Sequence, residues 1–310
     1  MTRHSCFVSL IVLFSFTFFS PISAHAQPPA TAAPATGTAA QPPADPAAAQ
    51  PPATTDDDDA KLRPLEPDFT VVNLPTTLPL PFKTAGNFHL THRFVGVNWA
   101  KDDGSTIAEN LFGFDGPAII QLEYRIAVMK HLEAIVARTN FDRTIQFSAK
   151  YDLLHDESKV PFGMSILASV EGGNNFRSHN QNGLDVGYSP GFGASFSRTL
   201  GTFAAVYVDP IWVHNTLPDG SPDRQDTFYV GIGGRVRIFR DTYIVGEVSP
   251  RASGYAPGDA EYAFTFEKRV GGHVFSLVFV NAPATTFAQI ARGGQPTTLY
   301  IGFNLARKFY

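Results

Sequence analysis

The chain has 310 residues and a formal net charge of −4, with 17% charged and 44% hydrophobic residues. Soluble domains carry about 25% charged residues, so the deficit fits a lipid-facing surface, and a net negative charge with no basic cluster argues against nucleic acid as a partner. Beyond the N-terminus no window reaches the roughly 20 consecutive apolar residues of a membrane-spanning helix, so any crossing must use strands.

In chain order, Arg3 and His4 precede an apolar run over 7–19, and Ala24-His25-Ala26 offers a small-residue cleavage site before Gln27. Residues 1–26 are therefore expected to be a secretory signal peptide. The only cysteine, Cys6, lies inside it. The expected mature chain thus has no disulfide, no thiolate nucleophile and no covalent haem motif, and no cofactor is predicted. Residues 27–85 form a tail and strap. The part to about residue 67 is biased toward Pro, Ala, Thr and Gln and ends near the run Asp56-Asp57-Asp58-Asp59, a composition expected to stay disordered. The Asp run lacks the spaced ligands and turn glycine of a calcium loop, so it reads as a solvated linker. Pro67, Pro75, Pro79 and Pro81 then mark a strap that lies on a barrel mouth or enters it.

From Gly86 to Tyr310 the pattern is alternating strands. Phe88, Leu90 and Phe94 alternate with His89, Thr91 and Arg93; Ile120, Leu122 and Tyr124 with Gln121, Glu123 and Arg125; Ile145, Phe147 and Tyr151 with Gln146, Ser148 and Lys150. The style continues through Leu132–Ala137, Phe162–Val170, Leu184–Phe196, Phe203–Val213, Phe228–Ile238, Tyr243–Val248, Tyr262–Glu267 and His273–Val280. Pro190 and Gly191 predict a bend or bulge, and the phase around Pro210 is ambiguous. The last stretch, Leu299, Ile301, Phe303 and Leu305 against Tyr300, Gly302, Asn304 and Ala306, runs to Phe309 and Tyr310. It is expected to pair with the first strand, and to be read by the barrel-assembly machinery. About twelve strands result. With both termini placed in the periplasm, the connections after odd strands (98–116, 140–143, 172–183, 214–226, 249–259, 281–296) are long in five of six cases. Those after even strands (128–130, 153–159, 199–201, 240–241, 270–272) are short in four of five. Long outer loops and short inner turns are the pattern of an antiparallel transmembrane β-barrel in the bacterial outer membrane. A soluble secreted sandwich, the alternative, gives no reason for connection length to follow parity.

The stretch 110–156 resembles an uncharacterised family of bacterial outer-membrane barrels grouped as a domain of unknown function. The likeness rests on Leu111-Phe112-Gly113-Phe114-Asp115-Gly116 before a strand ending Leu122-Glu123-Tyr124, and on the strand ending Lys150-Tyr151. It spans about 86–310 and implies a fold and a compartment, with no activity attached.

If the apolar faces look outward, the inner face carries Arg93, Glu123, Arg125, Lys150, Arg235, Arg237, Glu247 and Glu267. These are candidates either for a charged constriction that selects small polar or ionic solutes or for ion pairs that fill a narrow barrel. Ion selectivity that changes on Arg235→Glu would favour the constriction. His89 and His92, three apart on a strand, face opposite ways, and no metal motif is present. His155, His179 and His214 fall at loops or strand ends. For a lipid hydrolase, His273 and Ser276 are again three apart, His179 beside Ser178 is loop-borne, and no nucleophile elbow occurs. The glycines Gly231, Gly233 and Gly234 lie in a strand, and no phosphate cradle results. Phe94, Trp99, Tyr124, Tyr151, Trp212, Tyr243 and Tyr310 near strand ends are expected to form interfacial aromatic girdles. The leading expectation is a passive channel or porin. The alternatives are a plugged barrel with a structural role, whose tail docks a periplasmic partner, and third a lipid-hydrolysing enzyme.

Overall fold

The computed structural model describes residues 72–154, 161–173, 188–217, 226–254 and 259–310. The expected signal peptide, the tail to residue 71, His155, His179 and Ser178 lie outside the described residues.

Among the described residues, twelve antiparallel strands form the wall: β1 (Gly86–Arg93), β2 (Ile119–Met129), β3 (Leu132–Thr139), β4 (Ile145–Leu154), β5 (Gly163–Gly172), β6 (Ser189–Leu200), β7 (Ala204–Val213), β8 (Thr227–Phe239), β9 (Thr242–Ser249), β10 (Glu261–Val270), β11 (His273–Val280) and β12 (Thr298–Phe309). Each pairs with the next, and β12 pairs with β1 from Gly86↔Phe309 to Arg93↔Gly302, which closes the cylinder. A closed wall leaves no edge strand with unpaired backbone groups, the condition for placing strands in lipid. Strands of 8 to 13 residues have the reach that a bilayer core requires.

Side-chain alternation sorts the two faces. Leu122, Phe147, Phe192, Phe264, Phe275 and Leu277 are exposed on the outside, while Thr91, Gln121, Glu133, Lys150, Glu247 and Glu267 are buried inside. Water does not favour large apolar side chains outside and charges within; lipid does. The connections at one end are short, with residues 130–131, 201–203, 240–241 and 271–272 joining strand pairs, and Gly201 and Gly271 supplying positive φ. At the other end they are longer, except for residues 140–144. We call these the turn end and the loop end.

Gly302 sits on the closing seam, where a Cβ would overlap the backbone oxygen of His92 and meet Arg93 Cδ at 3.0 Å. Gly302→Val therefore forces the β1–β12 backbones apart. It is expected to cost at least about 1–3 kcal/mol and to lower the temperature at which the folded form disappears on gels.

Four expectations change. The ladder between β5 and β6 runs without a register shift through Pro190 and Gly191, so no bulge forms there. Pro210 keeps the phase of β7, with Tyr207, Asp209 and Ile211 inward and Val208 and Trp212 outward. Tyr243 is no girdle residue: it shares the phase of Val245 and Glu247 and is buried inside. The connections expected to be plain loops hold structure. Residues 94–118 contain α1 (Gly104–Glu109) and a tight turn at Leu111–Gly113; residues 281–297 contain α2 (Phe287–Ala291).

Candidate functional site in the barrel lumen

The strap enters the barrel. Pro75, Pro79 and Pro81 remove backbone donors and restrict φ, so this segment is unsuited to pairing as a strand. It is held by side chains of the wall instead. Leu80 N donates to Glu133 Oε2 at 2.6 Å. Lys150 Nζ donates to Leu78 O at 2.6 Å. The Ser165 hydroxyl donates to Thr77 O, and Thr77 Oγ1 and Ser197 Oγ lie 2.7 Å apart. Leu74 lies against Gly231, where a Cβ would come within 2.6 Å of Leu74 Cδ2. The Glu247 carboxylate accepts from Val72 N (3.0 Å), Asn73 N (2.9 Å), Leu74 N (3.3 Å) and Tyr207 Oη (3.0 Å). Asn73 Nδ2 donates to Glu261 Oε1, Arg93 Nη2 to Asn73 Oδ1, and Asn304 Nδ2 to Val72 O. Followed backward from Leu80, the strap meets β3, β4, β5, β6 and β8 in turn, and between Leu74 and Val72 it meets β9, β10, β1 and β12 together.

A second segment closes the loop end. The Glu171 carboxylate, at the end of β5, accepts from Thr286 Oγ1 (2.6 Å) and Ala288 N (3.1 Å), where a negative charge suits the first turn of α2. Gln289 Nε2 donates to Phe141 O at 3.2 Å, and Arg292 pairs with Asp142. Ile290 and Leu74 are fully buried in one apolar cluster with Ile211, Val213, Val278 and Val280. Each such side chain removed from water contributes roughly 1.5–3 kcal/mol. The core of this protein therefore lies inside the cylinder.

The wall charges fall into two clusters nearer the turn end. In one, Arg125 Nε lies 2.5 Å from Glu123 Oε1 and its Nη1 lies 3.4 Å from Glu133 Oε1, with Lys150 Nζ at 3.8 Å from the same oxygen. His89 Nδ1 is 3.6 Å from Glu123. In the other, Glu267 pairs with Arg235 and, at 2.8 Å, with Arg269. The guanidinium carbons of Arg235, Arg237 and Arg269 lie 5.2, 5.5 and 4.6 Å from the centre of the Tyr243 ring, close enough for cation–π attraction.

All eight candidate residues point into the lumen. Arg93, Lys150 and Glu247 touch the strap; Glu123 and Arg125 form the first cluster; Arg235, Arg237 and Glu267 belong to the second. Sequence reasoning missed Glu133, Glu171, Glu261 and Arg269. Continuing the alternation one step past Val170 and past Glu267 would have found Glu171 and Arg269. It also missed Asn73, for which no periodic signal exists.

Two spaces remain. A groove of about 540 Å³ opens at the loop end between Val95, Asn98, Ile119, Phe141, Gln295 and Tyr300. Beneath it, a cavity of about 30 Å³ lies beside the strap, lined by Asn73, Glu123, Arg125, Gln146, Lys150 and Phe287. That volume is about one water molecule's share of the liquid.

The other candidate pairs separate. His273 lies toward Phe275 on the outside, while Ser276 is buried inside. His89 faces inward, and His92 stacks on Phe303 outside at 4.7 Å. His214 Nδ1 is 2.5 Å from Asp226 Oδ1.

Among solved structures, the chain is similar to the NanC porin, with 8% identity and a TM-score of 0.45 over 73% of this chain and 100% of that one. It is similar to the COG4313 outer membrane channel from Pseudomonas putida F1, with 12% identity and a TM-score of 0.45 over 74% and 97%. A third likeness is to the Acinetobacter baumannii outer membrane protein Omp33, with 9% identity and a TM-score of 0.43 over 74% and 99%. No curated protein matches the chain. Residues 69–309 match the family described as the membrane bound beta barrel domain (DUF5777), and the match covers strap and wall together: the chain belongs to that family of membrane-bound β-barrels.

Proposed function

We propose that this protein is a bacterial outer-membrane channel for small polar or ionic solutes, held shut in the described state by residues 72–80. On this reading the turn end faces the periplasm, the loop end faces outward, and the C-terminal strand is what the assembly machinery reads. The observation that carries it is how the strap is held. Polar side chains reach it from around the wall, and it takes no part in the sheet, so water can replace each hydrogen bond while the wall keeps its ladder. The exposed lining would then include Glu123, Arg125, Gln146 and Lys150, a polar path with two cationic side chains and one anionic, suited to small hydrophilic solutes.

A second reading, a permanently plugged barrel with a structural or docking role, draws support from the apolar packing of Leu74 and Ile290. Planar-bilayer conductance separates the two. The intact mature chain should be closed for most of the recording. A chain lacking residues 27–81 should conduct steadily, with an ion preference that moves on Lys150→Glu. Silence from the shortened chain, with its heat-modifiable fold intact, would decide for the plug.

A further inference from the structure

Six of the residues that carry the family resemblance, Leu111 to Gly116, take no part in the lumen. They lie on the outside of the barrel. Beyond β1, Phe94 N still donates to Ile301 O at 2.8 Å, and the short strand Val97–Asn98 pairs with Thr298 and Leu299 of β12. The connection then folds back. The Phe114 ring packs 4.2 Å from that of Phe94, which lies 4.5 Å from His92 and 6.3 Å from Phe303, all on the outer face of the seam. Both glycines serve this approach. Gly113 has φ +91° and a Cβ there would overlap Val95 O, while at Gly116 it would come within 2.5 Å of Val95 Cγ2.

The turn so placed leaves Leu111 56% and Phe112 53% exposed. Both hold a left-handed backbone, φ +49° and +57°, a conformation unfavourable for such residues that persists only where the surroundings impose it. A connection needing only to reverse direction would place glycine at these two positions. Upstream, the segment is polar. Asp103 caps α1, accepting from Thr106 N and Ser105 Oγ at 2.7 Å, and these bonds hold its carboxyl at about 2, so the cap stays ionised at any ordinary pH. Trp99, which precedes α1, is 48% exposed, and amphipathic aromatics of this kind gather at membrane interfaces.

We infer that the turn at Leu111–Gly113 is a lipid foot: Leu111 and Phe112 insert among the acyl chains beside the β1–β12 seam, and α1 rides above them in the headgroup region. The occupant is lipid because the patch continues the lipid-facing wall through Phe94 and Phe303. The foot fastens the loop end of the closing seam to the leaflet around it. This inference is independent of whether the lumen conducts.

The chain's single cysteine, Cys6, makes the test direct. In a Cys6→Ser background, a nitroxide is attached at Phe112→Cys, with Phe264→Cys on the lipid-facing wall and Ser105→Cys on α1 as references. Each protein is reconstituted in dimyristoylphosphatidylcholine vesicles, and access of oxygen and of a water-soluble nickel chelate is read by power saturation. The label at 112 should match that at 264, oxygen-accessible and shielded from nickel. A label as open to nickel as that at 105 would overturn the foot in favour of a water-facing loop. One closed to both reagents would overturn it in favour of a covering protein, such as a second copy. Leu111→Cys repeats the measurement should the first variant fail to fold.

Discussion

Glu247→Ala is expected to release the strap while leaving the barrel closed. One carboxylate takes three consecutive backbone N–H groups and the Tyr207 hydroxyl. A hydrogen bond to a charged group contributes roughly 1.5–3 kcal/mol, and each buried N–H left without a partner costs about as much again. Even with strong non-additivity, the docked strap should weaken by at least about 3 kcal/mol, on the order of a hundredfold in its population. Thr76, fully buried on the strap, is the reporter. With Thr76→Cys in a Cys6→Ser background, maleimide labelling should be slow in the parent and faster by on the order of a hundredfold with Glu247→Ala. Glu247→Gln, which keeps one acceptor oxygen, should fall between. Equal labelling rates in parent and variant would show that the latch lies elsewhere.

The second large effect is on the wall. Glu267 is the shared carboxylate of Arg235 and Arg269, and all three are buried. Removing it in Glu267→Ala leaves two guanidinium groups beside the Tyr243 ring without their common counter-charge, a loss expected to cost about 3–5 kcal/mol. Replacing Arg235, Glu267 and Arg269 together by methionine removes all three charges and should cost less, because no buried charge is left behind. Chemical unfolding in lipid, followed by tryptophan fluorescence, measures both. A triple variant weaker than Glu267→Ala would refute the assignment. The same burial bears on selectivity. Arg235→Glu would set two carboxylates together in a dry site and unfold the wall, so it is a stability probe. Lys150 and Arg125, which line the cavity, are the positions for a selectivity experiment.

The wall was legible because a strand with one face in lipid repeats every two residues, and because connection length follows parity. The inward charges follow from that phase alone, and so does Tyr243, which alternation with Val245 and Glu247 places inside although an aromatic near a strand end invites the girdle reading. The strap was legible from its prolines, on a barrel mouth or entering it, but what holds it was not. Its prolines erase periodicity, and its partners lie 20 to 232 residues away along the chain, joined through side chains that leave no local pattern. α2 has five residues, too few for a helical period. Its signal was compositional: Ala282, Ala284, Phe287 and Ile290 form an apolar set inside a stretch expected to face water. The foot was hidden in the resemblance motif, where the glycines read as turn residues and the phenylalanines had no assigned partner.

The order in which the strap meets the strands has a consequence in time. Apart from Arg93 of β1, its hydrogen-bond partners on the wall run from Glu133 to Asn304. If strands are added one after another, the newcomers from β3 to β10 find their rungs successively along a peptide already lying in the growing concavity. The curved sheet would then be wound around its own leading segment like cloth on a spindle, with the seam sewn after the spindle is inside. On that order of assembly the first residues of the folded unit would act as the gauge on which its circumference is set.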